Sequence, residues 1–420
     1  MHEADYVIVG GGSAGCVLAA RLSEDPRNRV ILIEAGGHET GWKLDLPGGS
    51  LFLMGRDRYD WRYEAEPDPT LNHRKIGWPA GRMLGGGSAI NGQVYIRGTR
   101  ADFNRWVEQG CTGWGFDDVL PYFKKSERYE GPNPPASHGL NGPMTVAPPR
   151  WKDPLHVQFV QACQQVGLPF LDDYCNGDQF GVFECLGTSN GKRCSTAMAY
   201  IEPILGRRPN LTLIDHAYAR RLLVQNGRAT GVEIARQGGL STISARAEVI
   251  VASGSVGSPA LLLRSGIGDA EVLQQLGIAP VAHLPGVGRN LQEHSAVMVG
   301  RLVNSPTINS RTGPIQGLAM VLDYLLRKQG PMSAIGAPAL ALAKTSDDLA
   351  EPDVQYHFSP LLYSFDANSK PVLDKRPGVQ IATNVCRPHS RGEIRLRDAN
   401  PDSRPIIDHQ AFSDERDLTT

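Results

Sequence analysis

An excess charge of either sign, a long apolar run and a paired set of cysteines are all missing from this sequence. Lysine plus arginine number 43 and aspartate plus glutamate 44, a formal charge of −1 over 420 residues. So even a balance carries no electrostatic footprint for nucleic acid or an anionic membrane. No stretch approaches the roughly 18 apolar residues of a membrane span. The opening, MHEADYVIVGGG, carries acid where a secretory signal carries base, and its apolar run is too short. Seven cysteines, an odd number, run from Cys16 to Cys386 without one C-x-x-C pair. That argues against a disulfide framework and a zinc site and fits a reducing compartment. A soluble, cytoplasmic protein is expected, with no assigned metal ligands.

What is present is glycine. There are 47 glycines and 30 prolines in a chain that is 41% hydrophobic, enough for a sizeable core. Abundant glycine in an ordered chain implies tight turns and close backbone approach. The length allows two to three domains, or one large interleaved unit.

The chain opens with an apolar run, Tyr6 to Val9, then Gly10-Gly11-Gly12-Ser13-Ala14-Gly15, a G-x-G-x-x-G match. A helical pattern follows through Leu22, and a second β-like run, Val30 to Ile33, closes on Glu34. This is strand, turn, helix and strand in about 30 residues, a βαβ-sized unit. In such a unit the first glycine permits the turn, the second admits a pyrophosphate and the third lets helix and strand pack. Amides at the helix start face the phosphates. Glu34, 19 positions after Gly15, can accept bonds from both ribose hydroxyls. That disfavours a 2′-phosphate, and therefore NADP, but does not separate NAD from FAD.

A second glycine cluster spans Gly81 to Gly98. Its small residues, Gly85 to Ala89, allow backbone to lie flat against a planar ring, or simply form a tight turn. Helical periodicity marks His156 to Gln165 and Gly317 to Leu326, and a Pro/Gly/Asn loop covers 131–149. Leu211 to His216 and Ala219 to Ala235 read as strands, the second folded at Asn226-Gly227. Ala247 to Ala252 is a further strand, with a helix expected to start at Ser258-Pro259. β-like runs recur at Val354 to Phe358, Gln380 to Val385 and Glu393 to Leu396.

Gly81-Arg82-Met83-Leu84-Gly85-Gly86-Gly87-Ser88-Ala89-Ile90-Asn91 resembles the first signature of the glucose–methanol–choline (GMC) flavin oxidoreductases. The second signature is resembled at Gly254-Ser255, Ser258-Pro259, Leu261-Leu262 and Ser265 to Gly268. A third stretch, Pro285 to Gln292 with His294, is also similar, and looser likeness runs to about residue 417. The resemblance implies FAD, a Rossmann-like cofactor domain and an α/β (α+β overall) architecture. The cofactor core would be 1–36, 77–110 and 205–298 within an amino-terminal region of 1–298. The interleaved substrate domain, an antiparallel sheet flanked by helices, would take 150–200 and 299–420.

By matching position, Gly10, Gly12, Ser13, Ala14, Gly15, Glu34, Ala35, Arg82 and Gly87 belong to the cofactor site. Asn91, Gly92, Gln93 and Val94 would follow the flavin and its phosphates, and the backbone of Ala219 would meet the adenine. Some relatives attach flavin through a histidine where this chain has Ile90, so non-covalent FAD is implied.

The implied reaction removes hydride from a primary or aryl alcohol to flavin N5 while a histidine base takes the hydroxyl proton. Electrons then pass to oxygen or another acceptor. The resemblance places that base in a carboxyl-terminal motif beyond Thr420, so no catalytic residue is assigned. A non-redox lyase on the same scaffold and an inactive FAD-binding fragment remain alternatives. Among the eleven histidines, His294 reads as structural and His357 as a core, edge or pocket residue, while His389 and His409 read as exposed. Trp61 reads as packing, Arg193 as a local anchor, Cys194 as a passive thiol and Gln93 as a candidate flavin or substrate contact.

Overall fold

A computed structural model describes residues 2–311, 313–366 and 371–420. Two sheets organise it. The first has six strands, and four of them run parallel in the spatial order Leu211–Ile214, Val30–Ile33, His2–Val9 and Gly239–Val251. The last of these continues as an antiparallel meander with Arg228–Arg236 and Tyr218–Gln225. Val30–Ile33 is buried at every position. That suits a strand covered on both faces, which reads as an unbroken apolar run.

Tight turns build the meander. Asn226 and Gly227 both have positive φ, as do Gln237 and Gly238. Two successive positive-φ residues twist a two-residue hairpin the same way as its strands. The second turn makes the following strand longer than the apolar run suggests. It begins at Gly239 rather than near Ala247. Its first half pairs with Arg228–Arg236, and its length from Ile243 to Val251 pairs with His2–Val9.

The helix after it also starts earlier than expected. It runs Gly254–Arg264, preceded by Ser253, so Ser258 and Pro259 lie inside it. The chain turns at Gly254 directly off the strand end, and one proline is tolerated because it removes a single helical bond.

The second sheet is wholly antiparallel, in the order Ala296–Leu302, Gly378–Val385, Val354–Ser359, Ala339–Ala343 and Gly181–Glu184. Helix Pro154–Gln165 packs on it, with Phe159 stacked on Phe358 at 4.8 Å between ring centres. The edge strand Ala296–Leu302 is exposed along its length. Among the described residues no helix is long and apolar enough to cross a membrane.

Ile243 is fully buried in the core beneath the first sheet, whereas Leu240, three residues earlier, is exposed. Ile243→Ala should lower unfolding stability by about 2–5 kcal/mol. Leu240→Ala should stay within about 0.5 kcal/mol of the parent. Urea titration of the two variants checks the difference.

Candidate functional site

The first strand delivers the chain to Gly10, whose amide donates to Ile33 O at 2.9 Å. Helix Ser13–Leu22 then begins with Gly12 before it and no side-chain cap. Its first-turn amides are therefore free for an anion, and no acidic residue opposes one there. Ser13 and Ala14 are exposed. Gly15 lies beneath, where any Cβ would overlap Gly10 O. That contact is the close helix–strand packing expected of the third glycine.

Glu34 is 6% exposed. One carboxylate oxygen accepts from Gly11 N at 2.8 Å and the other from Gly36 N, also at 2.8 Å. Burial raises its pKa, opposed by these amide bonds and by the charge of Arg82. Each oxygen keeps a lone pair for a further donor.

The second glycine cluster lies against the first. Gly85 N donates to Gly11 O at 2.7 Å, and Leu84 N to Gly37 O at 3.0 Å. A Cβ on Gly86 would stand 2.7 Å from Gly12 Cα. The short helix Gly87–Ile90 starts there, with Gly87 exposed and nothing within 4 Å of where its Cβ would be. Ile90 turns inward and packs with Leu44, Leu53, Met83 and Ala89.

Along this junction runs a cleft of about 1040 Å³. Gly10, Gly12, Ser13, Ala14, Glu34, Ala35, Arg82, Gly87 and Ala219 line it. Gly15 sits below the loop, and Asn91, Gly92, Gln93 and Val94 lie outside the lining. Trp61, Tyr218 and the segment 402–405 complete the walls. No local pattern marks those last residues, because they reach the cleft only through folding. Trp61 stacks on Tyr63 at 5.7 Å, and the Arg82 guanidinium lies 5.0 Å above the Trp61 ring centre. Arg82 Nε is buried and has no partner.

Uncapped amides, an orphaned arginine nitrogen, a carboxylate behind the loop and an elongated cleft together fit an adenosine diphosphate-bearing flavin. The GMC oxidoreductase family model matches residues 4–296. The chain belongs to the GMC oxidoreductase family. FAD is its cofactor. Oxygen-dependent choline dehydrogenases of Rhizobium meliloti (strain 1021) and Brucella ovis are each 40% identical over 419 residues, 99% of this chain and 75% of theirs. Pyridoxine 4-oxidase from Mesorbium loti superposes with a TM-score of 0.86 at 30% identity, over 99% of this chain and 77% of that one. A variant formate oxidase of Aspergillus oryzae RIB40 shares the fold, with a TM-score of 0.89 at 24% identity over 99% and 78% of the two chains.

Arg193 anchors the far end of the GMC glycine cluster. It is 2% exposed and donates to Asn91 O at 2.8 Å, Asn91 Oδ1 at 3.1 Å, Ser88 O at 3.2 Å and Ser50 Oγ at 3.1 Å. Burial lowers its pKa to about 10. Gln93, 1% exposed with positive φ, turns its amide onto Pro47 O at 2.6 Å and leaves Oε1 without a partner. Cys194 is a passive thiol, its pKa raised by burial.

The histidines sort differently from the sequence reading in one case. His409 is buried, not exposed: its Nδ1 lies 2.9 Å from Asp68 Oδ2 and its ring stacks on Trp78. A polar sequence neighbourhood hid a polar contact formed across the fold. His389 is exposed. His294 and His357 come together, with ring centres 6.5 Å apart. His357 Nε2 is buried without a partner. Burial first, then repulsion from His294, lowers the His357 pKa to about 4.

Two outcomes follow from this geometry. Gly86→Ala places a methyl against Gly12 Cα, so flavin affinity should fall at least about tenfold, a loss of about 1.4 kcal/mol; FAD titration of deflavinated protein measures it. The His357 effect has a defined sign. The unfolded chain takes up a proton near the ordinary 6.5 while the folded chain resists until about 4. Stability should therefore fall as pH drops through that window, by on the order of 3 kcal/mol at most. His357→Asn should flatten that segment of the stability–pH curve relative to the parent.

Proposed function

We propose that this chain uses FAD to oxidise the CH–OH group of a primary or aryl alcohol. Membership of the GMC oxidoreductases makes it an FAD-dependent alcohol oxidoreductase. The observation that carries the finer reading is the backbone contact between the two glycine clusters along one cleft. When bound there, FAD supplies a two-electron hydride acceptor.

The residues divide the remaining work. The amides of Gly12, Ser13 and Ala14 receive the phosphates, and Glu34 with Ala35 receives the adenosine ribose. Ala219 meets the adenine through its backbone. Gly87 borders the ring, while Asn91, Gly92, Gln93 and Val94, outside the cleft lining, back it, with the guanidinium of Arg193 bonded to Asn91. That buried positive charge favours negative charge on the ring's polar edge. Ile90 lies in the core, which supports non-covalent attachment. Residues 1–36, 77–110 and 205–298 form the cofactor domain in this reading, and 150–200 with 299–420 the substrate domain.

His357 is not the base. A nitrogen that resists protonation until about pH 4 is poorly matched to proton abstraction near neutrality. The electron acceptor is oxygen or a second carrier. Seven free cysteines suit a reducing compartment such as the cytoplasm.

The purified protein should show a flavin spectrum, and acid precipitation should release all its yellow colour into the supernatant. Anaerobic addition of alcohols, choline and benzyl alcohol among them, should bleach the flavin for at least one member of the panel. Absence of flavin, or a flavin that no alcohol bleaches, would reject this reading.

A further inference from the structure

Away from the cleft, a second set of chemistry-bearing side chains converges behind the strand Val94–Tyr95. His138, Asp173 and Cys175 each offer one ligand atom, and the three atoms lie within 4.8 Å of one another. His138 is 5% exposed and Cys175 is fully buried. His138 Nε2 stands 3.6 Å from Asp173 Oδ1, too far for a good hydrogen bond. It is close to the roughly 3.3–3.7 Å between ligand atoms that tetrahedral angles give at ordinary zinc–ligand lengths.

A surrounding shell orients each of the three. Glu127, fully buried, takes the other histidine nitrogen: its Oε1 lies 2.6 Å from His138 Nδ1. Its Oε2 accepts from Arg97 at 2.7 Å and from Gly139 N at 3.1 Å. A carboxylate on the far nitrogen of a ligating histidine fixes the tautomer that leaves Nε2 free to bind metal. Asp173 is held by Ser137 Oγ at 2.6 Å and by Cys175 N at 2.8 Å. Arg97 also donates to Cys175 O at 3.0 Å.

Charge closes around a divalent ion. Arg97 balances Glu127, and the carboxylate of Asp173 with the thiolate of Cys175 balances two positive charges. Nitrogen, oxygen and sulfur donors together suit zinc better than magnesium or calcium.

We infer that His138, Asp173 and Cys175 form a three-residue zinc site, its fourth position left open, that ties the loop 131–143 to the segment 173–175. Binding displaces one proton from Cys175 and, where His138 is charged, one from Nε2, with no change of oxidation state. Cysteine spacing gave no hint of it, because the ligands are 35 and 2 positions apart and only one is a cysteine. Tyr174, between two of them, donates to Tyr95 O at 2.8 Å, so the site braces the strand that follows the flavin-facing cluster.

The test uses the whole chain without a polyhistidine tag. It is stripped with chelator, given one equivalent of zinc and gel-filtered, and its metal is measured by mass spectrometry. One zinc per chain is expected, with a single sulfur at about 2.3 Å in the zinc X-ray absorption spectrum. Zinc should also raise the melting temperature. Cys175→Ser should lose the sulfur shell and bind zinc at least about tenfold more weakly, while Cys111→Ser, at an exposed thiol, should match the parent. Asp173→Asn, at a half-buried position, should weaken binding with the sulfur shell retained, so the result does not hang on one variant's folding. Failure of the parent to retain zinc overturns the proposal. So does unchanged zinc binding in Cys175→Ser, which would put the ion elsewhere.

Discussion

The structure depends on one contact between two pieces of backbone. Gly86 approaches Gly12 so closely that a single methyl would stand 2.7 Å from the opposing Cα. The bond from Gly85 N to Gly11 O fixes the register of that approach. Because neither strip carries a side chain there, the first glycine turn and the second cluster can share one wall of the cleft. The rest is arranged to keep the strips in place: Glu34 ties down Gly11 and Gly36, and a Cβ on Gly36 would overlap Arg82 O.

Charge is handled differently at the two ends of the cluster. At the Gly12 end, positive character comes from free amides and Arg82, both lining the cleft. At the Asn91 end it comes from Arg193, sealed from water and answered by carbonyl, amide and hydroxyl oxygens rather than by a carboxylate. Its Nε has no partner, and a buried guanidinium met only by neutral acceptors keeps its field, since no counter-charge cancels it. The Asn91 end of the cluster is thus positive in its own right. His357, held neutral in the second sheet, adds no charge of its own near neutral pH.

Much of the fold was legible in local pattern. The opening strand, turn and helix are contiguous, and their apolar and glycine pattern is local, so composition and spacing suffice to read them although the strand pairs with Gly239–Val251 far along the chain. The same holds for the hairpin at Asn226-Gly227. Boundaries were less legible. Pro259 looked like a helix start because proline favours that position, yet the strand end and the turn at Gly254 begin the helix five residues sooner. His409 looked exposed because its neighbours in sequence are polar, while its partners, Asp68 and Trp78, are more than 300 residues away.

Sequence alone determined that residues 10–34 carry a strand, glycine turn, helix and strand of the dinucleotide-binding pattern, and resemblance named the cofactor as FAD. Both rest on short-range order, in which a glycine's freedom and a helix end act within a few residues. Tertiary structure decided what surrounds that order. It set the second glycine cluster on the first, turned Ile90 into the core, paired His294 with His357 and gathered His138, Asp173 and Cys175. Those outcomes are differences in burial and distance between segments far apart in the chain. A side chain's charge state and partners are set by those distances, and a linear pattern does not contain them.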